Sequence, residues 1–213
     1  MLYTGDMFSD LGLGDIFVVV VSLVISIGFH EAMHAFTAHR LGDSTAAEQG
    51  RITLNPLKHV DLITTVLLPT VMLLLHLPPL LIAKPVPFDP EQVRHGEYGA
   101  ALMALAGPFT NLVLAVVAAL LLRFGSFSEG LAHILVLFTT LNIGLFVFNM
   151  LPIPPLDGSR LLYAFAPEPL QKVMLQIEQL GFIGLIAILL LLSPIISPII
   201  GNINAAIATF LLS

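Results

Sequence analysis

The 213-residue chain contains no cysteine. That excludes disulfides and removes thiolates as ligands for a metal. Charge is scarce too: Lys, Arg, Asp and Glu make up 10% of the residues against 57% hydrophobic, and the mean hydropathy is +0.97. A soluble domain of this length needs more polar surface, so the composition describes an integral membrane protein. The first fifteen residues carry Asp6, Asp10 and Asp15 but no basic residue. A signal peptide needs a positive n-region and a small-residue cleavage site, so the first apolar segment is expected to be retained as a span. Short segments of alternating apolar and polar residues are missing, which argues against a transmembrane barrel. The net charge of −6 comes from acids scattered through loops, and no basic patch points to nucleic acid. No internal repeat or low-complexity linker divides the chain. Residues 1–213 are expected to form a single membrane-embedded domain with no appended soluble domain.

What is present is a series of apolar runs, at 16–38, 61–82, 99–122, 131–156 and 179–212. Each is near or above the ~20 residues that cross a bilayer as a helix. The expected fold is an all-α polytopic membrane protein, a bundle of about 4–6 transmembrane helices with broken or re-entrant segments. The run 61–82 is interrupted by Pro69, His76, Pro78 and Pro79 and reads as re-entrant or strongly broken; 179–212, with Pro194 and Pro198, reads as a broken pair of short helices. The stretch "GRITLNP" (50–56) alternates Ile52 and Leu54 with polar residues and ends in Asn-Pro. It is either a short extended strand, with an edge open to pairing, or an ordinary connecting loop. Arg40, Arg51 and Lys58 cluster after the first run, so the positive-inside rule favours an outside N-terminus and a cytoplasmic first loop.

The sequence "SIGFHEAMHAF" (26–36) breaks the apolar pattern of the first run. A carboxylate at the centre of a bilayer costs roughly 2.5–3.5 kcal/mol, so such a group faces a partner or a cavity. His30 and His34 are four residues apart and stack on one helix face, with Glu31 about a quarter turn away. This is the H-E-x-x-H arrangement, in which two imidazoles hold Zn²⁺ and the glutamate works on water. A catalytic zinc wants a third protein ligand. The metzincin extension is absent, since Thr37 and Arg40 stand where it needs Gly and His, and His39 is out of phase with His30. Asp157, in "FNMLPIPPLDGSR" (148–160), is a carboxylate set against a long apolar run; Asp61 and Glu97 also border such runs, but at ordinary loop ends where a solvated charge is the default. The preceding prolines and the following Gly158 suit a broken helix that holds a ligand at membrane depth.

HEAMH in a transmembrane helix, followed far downstream by NMLPIPPLDG, resembles the site-2 protease family of intramembrane zinc metalloproteases. Residues 39–61, "KPVPFDP" (84–90) and "AGPFTN" (106–111) are similar to intervening segments of its short prokaryotic members, although "DLITT" (61–65) lacks a Pro-Gly often carried there. The resemblance implies one Zn²⁺ per chain held by His30, His34 and Asp157, with Glu31 as general base. It matches Asn149 to an asparagine that binds substrate backbone or the oxyanion; by itself that residue reads equally well as an interhelical hydrogen bond. Gly107, Pro108 and Asn111 are read as close-packing residues, and His59, His76, His95 and His133 as loop or interface residues. The activity implied is hydrolysis of peptide bonds within or next to transmembrane segments of membrane proteins, in the cell membrane. A non-hydrolytic metal-binding membrane protein or ion carrier would use the same ligands, but would not require Glu31. A shared metal also demands that His34 and Asp157 emerge on one side, so an even number of crossings must separate them.

Overall fold

The computed structural model describes residues 11–59, 65, 67, 70, 71, 74, 86–89 and 92–213. The expected re-entrant segment 61–82 lies mostly outside these residues, as do His76 and the first ten residues. Seven α-helices are described: α1 Leu13–Arg40, α2 Thr45–Glu48, α3 Glu97–Phe124, α4 Glu129–Asn149, α5 Asp157–Phe165, α6 Glu168–Gln179 and α7 Gly181–Leu212. Of these, α1, α3, α4 and α7 are long and apolar enough to cross a membrane. The all-α bundle expected from the apolar runs is therefore what is found.

Helix α1 is the central element. Its most apolar window is 56% buried, against 11% for α7, which lies at the periphery with its apolar side chains outward. α3 packs against α1, α4, α5 and α7. Ile16, Val19 and Leu23 of α1 bury against Leu141 and Leu145 of α4. A second cluster joins Ala115 of α3, Ile143 and Val147 of α4, and Ala208 of α7. Small residues at these contacts let helix backbones approach closely, the usual device where lipid removes the hydrophobic drive between helices.

The direction of each helix follows from its contacts. His133 Nε2 lies 2.7 Å from Asp15 Oδ1, and further along Leu23 meets Leu141 and Leu145, so α1 and α4 run parallel. Helix α3 runs between them in the opposite direction: its start is tied to the end of α1 by the Arg94 amide, which donates to the Leu41 carbonyl at 2.8 Å. Two described spans, α3 and α4, thus separate α1 from α5. That even number meets the requirement for a shared site.

The structure decides one open local alternative and corrects one expectation. Residues 50–56 form no strand. The Thr53 amide donates to the Arg51 carbonyl, and Thr53 Oγ1 accepts from the Asn55 amide, so the segment curls on itself and enters a 3-10 turn at Pro56–Lys58. The tail is not a broken pair of helices but one 32-residue helix, with Pro194 and Pro198 inside it. Pro194 brings no amide to the Leu190 carbonyl, and the Ser193 hydroxyl donates to that carbonyl instead, at 2.8 Å. Such side-chain replacement is how proline is accommodated within apolar helices.

Candidate metal centre

The helical repeat brings His30 and His34 to one face of α1, where both are buried. The third group arrives from a turn. After α4 ends at Asn149, residues 150–156 reverse the chain through a cis Pro154–Pro155 bond, and Asp157 begins α5. The turn folds back so tightly that a Cβ on Gly158 would collide with the carbonyls of Met150 and Leu151. Glycine at 158 therefore allows the aspartate to sit at this depth.

His30 Nε2 and His34 Nε2 are 3.0 Å apart, and Asp157 Oδ2 lies 3.1 Å from the first and 3.4 Å from the second. Their protonation follows from the far side of each ring. His34 Nδ1 is 2.8 Å from the Met103 carbonyl, which only accepts, so in the neutral ring Nδ1 carries the proton and Nε2 the lone pair. His30 Nδ1 is 2.6 Å from Asn111 Oδ1, which imposes the same tautomer. With both rings neutral, three acceptor atoms converge on one point, an arrangement suited to a cation that joins them. Ligand atoms about 2.0–2.2 Å from a tetrahedral zinc lie roughly 3.3–3.6 Å apart, within a few tenths of the triangle found here. Two imidazoles and a carboxylate are also a zinc donor set that leaves a fourth position open.

Space is kept for the ion by α3. A Cβ on Gly107 would fall 2.6 Å from His30 Nε2 and closer still to His34 Nε2. Next to it, Pro108 lies inside α3 and supplies no amide to the helix. The residues present therefore fit a bound zinc.

Glu31 is buried, and its Oε2 accepts from the Val86 amide at 3.2 Å. The segment 86–89 that crosses Glu31 is pinned further along. The Asp89 amide donates to Asp43 Oδ2 at 2.8 Å, and the Arg160 guanidinium lies 5.6 Å from the centre of the Phe88 ring. Asp43 is fully buried and also accepts from the Thr45 amide. Burial pushes its carboxyl up, but hydrogen bonds from the Thr45 side chain, the Thr45 amide and the Asp89 amide outweigh this and hold it below the usual aspartate range.

Asn149 is the last residue of α4, half-buried, and its side-chain amide donates to the Leu145 carbonyl at 3.0 Å. It makes no hydrogen bond to the His30–His34–Asp157 group among the described residues. His39 is exposed, as its helical phase requires, and His95 is an exposed loop residue. His59 is a buried loop residue whose Nε2 bonds the Thr53 carbonyl. Asn111, read from the sequence as a packing residue, instead holds a ligand histidine. The available signal was a fully polar side chain inside the apolar run 99–122, one helical turn beyond Gly107.

The sequence profile of Peptidase family M50 matches residues 124–192, a stretch that takes in Asn149 and Asp157. Several bacterial relatives carry the name "Putative zinc metalloprotease". YwhC of Bacillus subtilis is 35% identical over 179 residues, covering 78% of this chain and 76% of its own. Rip2 of Mycolicibacterium smegmatis is 34% identical over 193 residues, covering 85% of this chain and 69% of its own. Rip2 of Mycobacterium tuberculosis is 30% identical over 192 residues, covering 87% and 72%. No solved structure matches the chain. With relatives at 30–35% identity over 78–87% of its length, the chain belongs to peptidase family M50, the site-2 protease family of zinc metalloproteases, and is a metalloendopeptidase.

Proposed function

We propose that this protein is an intramembrane zinc endopeptidase that hydrolyses peptide bonds within or next to transmembrane segments of membrane proteins, and that it acts in the cell membrane. The observation that carries the reading is the position of the donor triangle. His30, His34 and Asp157 converge among helices long and apolar enough to cross a membrane, with both histidines buried.

His30, His34 and Asp157 are the residues that hold the zinc. Bound there, zinc polarises the scissile carbonyl and makes water acidic enough to attack near neutral pH. Glu31 accepts the proton of the attacking water and delivers it to the leaving amine. The Val86 amide keeps the Glu31 carboxylate turned in one direction for that transfer. Asn149 binds the substrate backbone or the oxyanion. Fifteen residues separate Asp15 from His30 and sixteen separate His133 from Asn149. On two parallel helices joined at Asp15 and His133, this supports Asn149 lying at the level of the ligands. Only one of its two amide protons is used by Leu145, so the other is available to a substrate oxygen. Membership of a peptidase family, together with a buried glutamate next to a ligand, disfavours the ion-carrier alternative.

The test is metal analysis of purified wild-type, H30A, H34A, D157A and E31Q proteins, with cleavage assayed in parallel. About one zinc per wild-type chain is expected, with sharp loss in the three ligand variants. E31Q should keep the metal and lose cleavage. Full zinc affinity in D157A would remove the third ligand, and normal turnover in E31Q would remove the general base.

A further inference from the structure

Asn142 makes no hydrogen bond to His30, His34 or Asp157 among the described residues. It is nevertheless fully buried in α4, a polar amide among Leu141, Ile143 and Leu145, in a helix with no other buried amide side chain among the described residues. Its contacts form a directed chain. Asn142 Nδ2 donates to the Phe138 carbonyl at 2.9 Å, Asn142 Oδ1 accepts from Asn111 Nδ2 at 3.0 Å, and Asn111 Oδ1 faces His30 Nδ1 at 2.6 Å.

The direction of this chain is dictated by its far end. A backbone carbonyl can only accept, so the amino end of the Asn142 amide must face Phe138 and its oxygen must face Asn111. That oxygen also only accepts, so Asn111 must turn its amino end to Asn142 and its oxygen to His30. His30 Nδ1 must then carry a hydrogen, which leaves the Nε2 lone pair for the metal. Each step has one allowed polarity, and the sense is inherited from the helix backbone at Phe138.

His34 needs no such device, because its Nδ1 meets the Met103 carbonyl directly. Without Asn142, nothing described would tell the Asn111 amide which end to present to His30. Rotated by half a turn, that amide would offer its amino group to Nδ1. The ring proton would then move to Nε2, the wrong tautomer for a ligand.

We infer that Asn142 is a positioning residue for the metal centre: acting through Asn111, it fixes the tautomer of His30 and so readies the site for zinc. The inference rests on the reading of His30 as a zinc ligand. It also joins three helices in one device, since α4 carries Asn142, α3 carries Asn111 and α1 carries His30.

The experiment measures two quantities in detergent-purified protein: zinc affinity by chelator competition, and the His30 tautomer in the metal-free protein from imidazole ¹⁵N shifts. Wild type should show the Nδ1–H tautomer. N142L, which keeps the volume but removes the acceptor, should show a mixture with Nε2–H and bind zinc about tenfold more weakly, at the low end for outer-shell substitutions. The deciding variant is the double change N111D/N142L. A carboxylate presents oxygen whichever way it turns, so it should restore the Nδ1–H tautomer and near wild-type affinity with position 142 still apolar.

If N142L keeps both the wild-type tautomer and the wild-type affinity, Asn142 has no positioning role. If the double variant is as weak as N142L, Asn142 acts through packing and the inference fails. If N142L does not fold, N142A takes its place in the same comparisons. H30A separates the two levels: wild-type zinc affinity in H30A would overturn the ligand assignment itself, whereas a failed relay with a zinc-deficient H30A leaves the protease reading standing.

Discussion

Gly107 of α3 faces His34 of α1 so closely that a side chain on the glycine would run into the imidazole rings of His34 and His30. A Cβ there would meet the Nε2 and Cε1 atoms of His34 as well as His30 Nε2, and the nearest of these are ring atoms rather than a flexible chain end. The two helices therefore approach at a point where only a glycine leaves the centre of the donor triangle open.

The first prediction follows from this contact. G107A should push the imidazoles apart and weaken zinc binding by about 10–100-fold or more, the range seen when supporting groups of a metal site are disturbed. A displacement of about 1 Å at a reacting centre can cost about 10²-fold in rate, so cleavage should fall at least as steeply. Helical content should be unchanged by circular dichroism. Wild-type zinc affinity in G107A would mean that the ligands lie elsewhere.

Asp43 gives a prediction of pH dependence away from the metal. Its carboxyl is held below the usual aspartate range by the Thr45 side chain and the Thr45 and Asp89 amides, so the stabilisation is present above that range. It is lost as the pH falls through the depressed folded value, when the carboxylate gains a proton. D43N should mimic that loss at neutral pH, because an amide keeps one acceptor oxygen but turns its other end toward a donor. A buried unsatisfied group costs about 1–3 kcal/mol. Amide exchange at 86–89 should become faster in D43N at pH 7, and in wild type only on acidification. Unchanged protection in D43N would show that Asp43 does not anchor the segment over Glu31.

The topology can be tested without activity. Because the chain lacks cysteine, single cysteines are easily placed. Gln49 follows α2, Glu168 begins α6 and Ser126 joins α3 to α4, and all three are exposed. A membrane-impermeant thiol reagent should reach Q49C and E168C from one face and S126C from the other. Had Asp157 been at the far end of a ~20-residue span from His34, the two would be ~30 Å apart, and no side chain closes that distance. Labelling of Q49C and E168C from opposite faces would therefore break the shared site.

Much of the site was legible in the sequence because it depends on local spacing. A spacing of four from His30 to His34 puts both on one helix face whatever the rest of the chain does. Asp157 stood out because a carboxylate set against a long apolar run has few other uses. Asn111 and Asn142 were not legible as partners. Their pairing depends on the register of α3 against α4, which no local period encodes, and a polar residue in an apolar helix serves packing just as well. Segment 86–89 reaches Glu31 from 55 residues away, for the same reason beyond the reach of spacing. The tail misled because its prolines were weighed without Ser193, which supplies the donor that Pro194 lacks. At 50–56 the alternation of Ile52 and Leu54 was outweighed by turn hydrogen bonds at Thr53.

The most direct test of the central claim is cleavage of a single-span peptide reconstituted with the zinc-loaded protein in liposomes, with the cut mapped by mass spectrometry. Wild type should cut within or immediately beside the apolar span, and E31Q, retaining its zinc, should leave the peptide intact. Cleavage confined to distant soluble flanks, or cleavage by E31Q at the wild-type rate, would contradict an intramembrane zinc endopeptidase.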